Sequence, residues 1–159
     1  MISPELIKAL KRRFALDWMG PHGVPHWARV RANGLKLAKL TGARPRVVEL
    51  FAFLHDSCRK REMGDPEHGP RAARFSEKLL GREIQLGQDD FDLLHEAISG
   101  HSDGLTQADI TVMTCWDADR LDLGRVGIRP RTRYLCTEAA RDPGFMQWAY
   151  ERSILGPDA

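Results

Sequence analysis

The 159 residues include 24 basic and 22 acidic side chains, leaving a formal net charge of +2, and 42% of them are apolar. That length suits one domain with a buried core, and the near-balance of charge argues against a dedicated nucleic-acid binder, whose basic residues run to larger excess or gather on one face. Three widely spaced cysteines without a CxxC pair argue against a disulfide framework or a thiolate zinc site, and no apolar run nears the ~20 residues of a membrane span.

The start "MISPELIKALKRRF" mixes charge throughout and lacks the apolar stretch of a signal peptide, so the expected setting is cytoplasmic and reducing. Ser3-Pro4-Glu5 reads as a helix N-cap, a proline at the first helical position and an early acid, opening a helix to about Met19. "GPHGVPHW" is a glycine- and proline-broken loop, and Pro25 starts a second helix that Gly42 ends. Pro45 starts a third, where Val48, Phe51, Ala52 and His55 fall at i, i+3, i+4 and i+7, so His55 belongs to the buried stripe.

"KREMGDPEHGP" is a loop, followed by a fourth helix from Pro70 to Leu80. Asp89 or Asp90 caps a fifth helix reaching Ser99. A sixth, starting near Thr106, carries "ADITVMTCWDADRLDLG"; "GIRPRTR" is a further break, and two short helices finish the chain. No repeat, period-two strand or linker is visible, so the expected fold is all-α: one domain over 1–159, a helical bundle of six to eight helices.

All six histidines fall between residues 22 and 101. His26 sits at the start of the second helix, His55 and Asp56 at the end of the third, His68 just before the fourth and His101 just after the fifth. Side chains at the ends of neighbouring antiparallel helices can converge in a bundle. Imidazole with carboxylate suits Fe, Mn, Zn, Ni or Co.

The order His26, then His55-Asp56, then a late aspartate in "WDADRLD", resembles the HD superfamily of metal-dependent phosphohydrolases over about residues 20 to 127. "HWARV" is similar to that family's first histidine and following helix, "AFLHDSCR" to its apolar run into HD, and "ADRLD" to its last ligand segment. The resemblance implies a bundle of the HD-domain type, with His26, His55, Asp56 and Asp119 as metal ligands. Asp117 and Asp122 compete with Asp119, which the match to "ADRL" selects; the other two read as caps, salt-bridge partners or supports.

"DPEHGPRAA" and "AISGHSDG" resemble the segments from which some members add two histidines, here His68 and His101, with His95 the competing choice. Members with both tend to hold two metals, and Asp56 would then bridge them. The implied cofactor is one or two divalent ions, with Mg joining the metals above. The chain lacks the GYP-type signature of the cyclic-dinucleotide branch.

The activity so implied is hydrolysis of a phosphate ester of a small molecule, a nucleotide among the candidates, by metal-activated water. Asp56, Arg59 and Lys60 form the expected catalytic group. Arg29, one turn beyond His26, and Arg120 join Arg59 and Lys60 as expected contacts for the phosphate oxygens. His22 is a candidate for the pocket mouth or a general acid, Asp103 for orienting a ligand histidine or closing a turn, and Trp27 and Trp116 for shielding the site as core. The partner is a phosphorylated small molecule, with no membrane and no clear nucleic acid. Two alternatives stand beside this reading: a di-iron oxygenase of the same type, and a catalytically inactive metal- or nucleotide-binding protein.

Overall fold

Proline and glycine punctuate the helices. In the computed structural model, which describes residues 1–155, Ser3 caps α1 (Pro4–Arg13) through a hydrogen bond from the Leu6 amide. Pro25 lies in the first turn of α2 (Val24–Thr41), and Gly42 closes that helix in the left-handed conformation at φ 78°. Pro45 opens α3 (Pro45–Leu54). Then come α4 (His68–Leu79), α5 (Gln88–Gly100), α6 (Ile110–Arg120), 3₁₀ turns at Leu123–Val126 and Thr132–Tyr134, α7 (Glu138–Arg141) and α8 (Pro143–Leu155). Among the described residues there are eight α-helices and no strand beyond an isolated bridge between Leu80 and Ile84, so the all-helical fold is as expected.

The boundaries differ in places, each for a local reason. α1 stops at Arg13 rather than near Met19 because Phe14 turns extended and sets its ring edge-on against Trp18 and Trp27. Gly87 caps α5, which leaves Asp89 and Asp90 in the first turn, where the helix dipole favours acids. α6 begins at Ile110, not Thr106, because the Asp109 side chain accepts from the Thr111 amide at 2.8 Å. The last helix is full length at 13 residues.

α3 is the central rod, packing against α2, α4, α5 and α6. Its Val48, Leu50, Phe51, Ala52 and Leu54 have no exposed surface, and they join Trp27, Leu94, Ile98, Cys115 and Trp116 in one core. Gly34 lets α2 and α3 approach: a Cβ there would lie 2.4 Å from Cγ1 of Val48. Because α3 runs through the centre, its C-terminal end delivers His55 and Asp56 to the place where the ends of α2, α4, α5 and α6 meet. Among the described residues no helix is long and apolar enough to cross a membrane.

Candidate metal centre

Four histidines and two aspartates converge there. Nε2 of His26 lies 3.0 Å from Nε2 of His55 and 3.3 Å from Oδ1 of Asp119; His55 Nε2 is 3.6 Å from the same oxygen. On the other side, Nε2 of His68 and of His101 are 2.8 Å apart. Asp56 joins the two groups with different oxygens. Its Oδ2 is 3.5 Å from His26 and 3.6 Å from His55, while its Oδ1 is 3.3 Å from His68 and 3.4 Å from His101. The arrangement is two donor clusters sharing one carboxylate.

The outer edge of each ring fixes its tautomer. Nδ1 of His55 faces the carbonyls of Phe51 and Ala52, that of His68 the carbonyl of Asp65 at 2.5 Å, and that of His101 the carbonyl of Ile98 at 2.7 Å. Nδ1 of His26 faces the Asp122 carboxylate at 2.7 Å. Carbonyl and carboxylate oxygens only accept, so all four Nδ1 atoms carry a proton and each ring turns its Nε2 inward. Four imidazole nitrogens and two carboxylates then face one another at 2.8–3.6 Å. Buried acceptors so arranged require cations between them, whether protons or metal ions. Nitrogen and oxygen donors of this kind fit a pair of divalent ions, and the oriented Nδ1–H groups are the supports that imidazole ligands carry in metal sites.

Burial alone would favour neutral Asp56, but the charge and hydrogen bonding of His55, His101 and His68 outweigh it and hold the carboxyl well below its usual range. Asp119 behaves alike: burial opposes ionisation, and His26 and His55 prevail. Both are carboxylates at neutral pH. Asp117 goes the other way, since burial pushes its carboxyl up against the hydrogen bonds it accepts from the Cys136 amide and from the amide and hydroxyl of Thr137.

A cavity of about 540 Å³ opens over the clusters, with Asp56, His68, His101 and Asp119 on its floor. His26 and His55 lie deeper, with no exposed surface. Arg59, Arg120 and Arg125 line the wall. Arg59 donates to Oδ1 of Asp56 at 3.1 Å, Arg125 reaches within 4.0 Å of Asp119, and Arg120 donates to the Tyr134 carbonyl while its buried Nη2 has no partner among the described residues. His22, also on the wall, holds Glu62 through Nδ1 at 2.5 Å; burial lowers its pKa more than that acid raises it.

The structure thus brings together His26, His55, Asp56, His68, His101 and Asp119, and takes Arg59 and Arg120 to the cavity. Arg29 and Lys60 depart from expectation, and the other candidates lie as follows. His95 is on the outer surface bonded to Glu77, because it sits nearly two turns before His101 on α5. Arg29 turns inward to Asp122, with Nε 2.7 Å from Oδ1, and does not line the opening. Lys60 is exposed and away from the cavity, because its backbone amide is held by Asp65 at the loop's outer edge. Asp103 is exposed, and the Ile98 carbonyl takes the role considered for it. Trp27 and Trp116 are core.

Asp122, expected as a cap, salt-bridge partner or support, holds both His26 and Arg29. Arg125 escaped the sequence reading, because it lies in a 3₁₀ turn that has no periodicity to reveal it.

Fold and site together define an all-helical protein built around a carboxylate-bridged cluster of histidine and aspartate. No protein-family model, curated protein or solved structure matches the chain.

Proposed function

We propose that the chain is a metal-dependent phosphohydrolase of the HD type, cleaving a phosphate ester of a small molecule with water. One observation carries the reading: the two histidine-carboxylate donor clusters joined by Asp56, lying beneath three arginines. His26, His55, Asp119 and Oδ2 of Asp56 would hold one divalent ion; His68, His101 and Oδ1 of Asp56 the other. Ions there would acidify water and offset phosphoryl charge.

The chain's own residues do the rest. Asp56 spaces the clusters and anchors Arg59, whose Nη1 donates to the carbonyls of Arg61 and Glu62 and so stiffens the loop over the site. Arg120 and Arg125 on the wall add positive charge beside the equatorial phosphate oxygens. His22 keeps a titratable ring on the wall, outside the donor set, where a leaving oxygen needs a proton. Three buried, unpaired cysteines support a reducing, cytoplasmic setting.

The test is elemental analysis of freshly purified protein beside a phosphatase panel with added Mn, Co, Ni and Mg. Expected are bound or activating metal and released phosphate, with metal content lowered and phosphate release lost in His55→Ala and Asp56→Ala. Protein that holds no metal and gains no activity from any ion overturns the reading. The four-imidazole, two-carboxylate set also favours a second reading, a di-iron oxygenase, which bound iron with oxygen consumption and no phosphate release would select.

A further inference from the structure

The cavity is divided in character. Its arginines and His22 are the polar part; the rest of the wall is largely Met63, Leu123, Val126, Ile128 and the ring of Tyr134. Val126, Ile128 and Tyr134 are 44%, 52% and 51% exposed, so apolar surface beside a charged floor is left open to water. The path continues. A smaller cavity of about 200 Å³ shares Arg120, Leu123, Ile128 and Tyr134 with the first and extends to Arg129, Pro130, Arg131 and Leu135.

Among the described residues no acidic or amide side chain lines that extension, and of its arginines Arg129 is held by Gln147 and the Tyr150 ring. In the main cavity the acceptors outside the donor set are Ser102, Glu62, which is engaged by His22, and the Tyr134 hydroxyl. A sugar ring or a nucleobase edge needs several placed hydrogen-bond partners, and the stretch of Leu123, Val126, Ile128, Pro130 and Leu135 side chains supplies none. An apolar chain needs none and gains from every methylene it buries.

We propose that the substrate is a phosphate monoester of an apolar alcohol, a dianionic head with an aliphatic or aryl tail; the head rests on the phosphohydrolase reading above. The phosphate sits at Arg59, Arg120 and Arg125 over the donor clusters. The tail lies along Leu123, Val126, Ile128 and Tyr134 toward Pro130. Water adds its oxygen to phosphorus, the P–O bond to the alcohol breaks, and the departing alcohol oxygen takes a proton. The products are inorganic phosphate and an apolar alcohol.

Two series on the purified protein test this: hydrolysis of n-alkyl phosphates from methyl to octyl beside glycerol phosphate and ribose 5-phosphate, and binding of the matching n-alkylphosphonates by calorimetry. Each added methylene should raise kcat/KM and phosphonate affinity by about two- to fourfold until the wall is covered. Ile128→Asp, at an exposed position, should cut the octyl-to-methyl ratio more than about tenfold.

Hydrolysis that ignores chain length, or prefers the sugar phosphate, overturns the inference and leaves the phosphohydrolase reading standing. Graded phosphonate binding with no ester hydrolysed supports the apolar wall and overturns the phosphohydrolase reading. A dimer that Ile128→Asp splits, with no chain-length effect, assigns the exposed surface to a second copy and overturns the inference.

Discussion

Asp122→Asn keeps the side chain's shape and removes one charge, and the structure sets what that costs. The carboxylate has no exposed surface and accepts from Nδ1 of His26 at 2.7 Å and from Nε and Nη2 of Arg29 at 2.7 and 3.1 Å. Arg29 is buried, and no other acid pairs with it among the described residues. Each charge-assisted hydrogen bond contributes about 1.5–3 kcal/mol, and removing one partner of a buried ion pair costs about 3–5 kcal/mol because the survivor is stranded. Asparagine keeps one acceptor oxygen, so the lower end applies: a loss of about 3 kcal/mol, read by urea unfolding of chelator-treated protein. Arg29→Met in the same chain removes the stranded cation, so the double variant should be more stable than the sum of the singles by about 1–3 kcal/mol. In metal-replete protein, affinity for metal should fall about 10- to 100-fold, because His26 loses the acceptor that holds its ring. Additive single variants, or an Asp122→Asn protein within about 0.5 kcal/mol of the parent, would refute the buried-pair argument.

Three further outcomes are expected. His68→Ala and His101→Ala each spoil only one cluster, so metal content should drop by about half, while Asp56→Ala, which takes a donor from both, loses the greater part; equal losses in all three would show that the clusters do not fill separately. Asp65 has its carboxyl held down to about 2, first by Arg71, whose Nη1 and Nη2 each lie 3.1 Å from it. A depressed folded pKa means this stabilisation is full above the ordinary Asp range and is lost as pH falls toward about 2. Asp65→Asn should therefore unfold at lower temperature than the parent at pH 6 and match it near pH 2; a constant gap across that range contradicts the assignment. Gly34→Ala pits a gain in helix propensity of about 1 kcal/mol against a Cβ placed 2.4 Å from Cγ1 of stiff, β-branched Val48. Overpacking should win, with a net loss of about 1–2 kcal/mol that Val48→Ala partly relieves; a more stable Gly34→Ala protein would show that α2 and α3 can slide apart.

Much of the fold was legible because its signals are local. Pro4, Pro25 and Pro45 open helices, Gly42 ends one, and the spacing of Val48, Phe51, Ala52 and His55 put the pair at 55 and 56 against the core. What lay beyond reach depends on distant partners. Asp117 and Asp119 are two residues apart on α6 and so project to different sides; which one faces the site is decided by Cys136 and Thr137, whose amides claim Asp117. The end of α1 is set by a tryptophan of α2, and the direction of Arg29 by an aspartate 93 residues away. In the sequence, resemblance alone favours His101 over His95; the physical ground is the packing of α4 on α5, which sets His101 against His68 and leaves His95 with Glu77.

Three of the four inward imidazoles are steered by main-chain carbonyls, those of Phe51 and Ala52, Asp65 and Ile98, and only His26 depends on a side chain. Every amino acid supplies a carbonyl. The identity of residues 51, 52, 65 and 98 can therefore drift so long as the helical path beneath them is kept, without turning a ring away from its neighbour. The evolutionary burden falls on the six donors and on Asp122, seven positions scattered across 97 residues. A lineage can thus rewrite most of its sequence around an unchanged centre, with backbone shape as the inherited part.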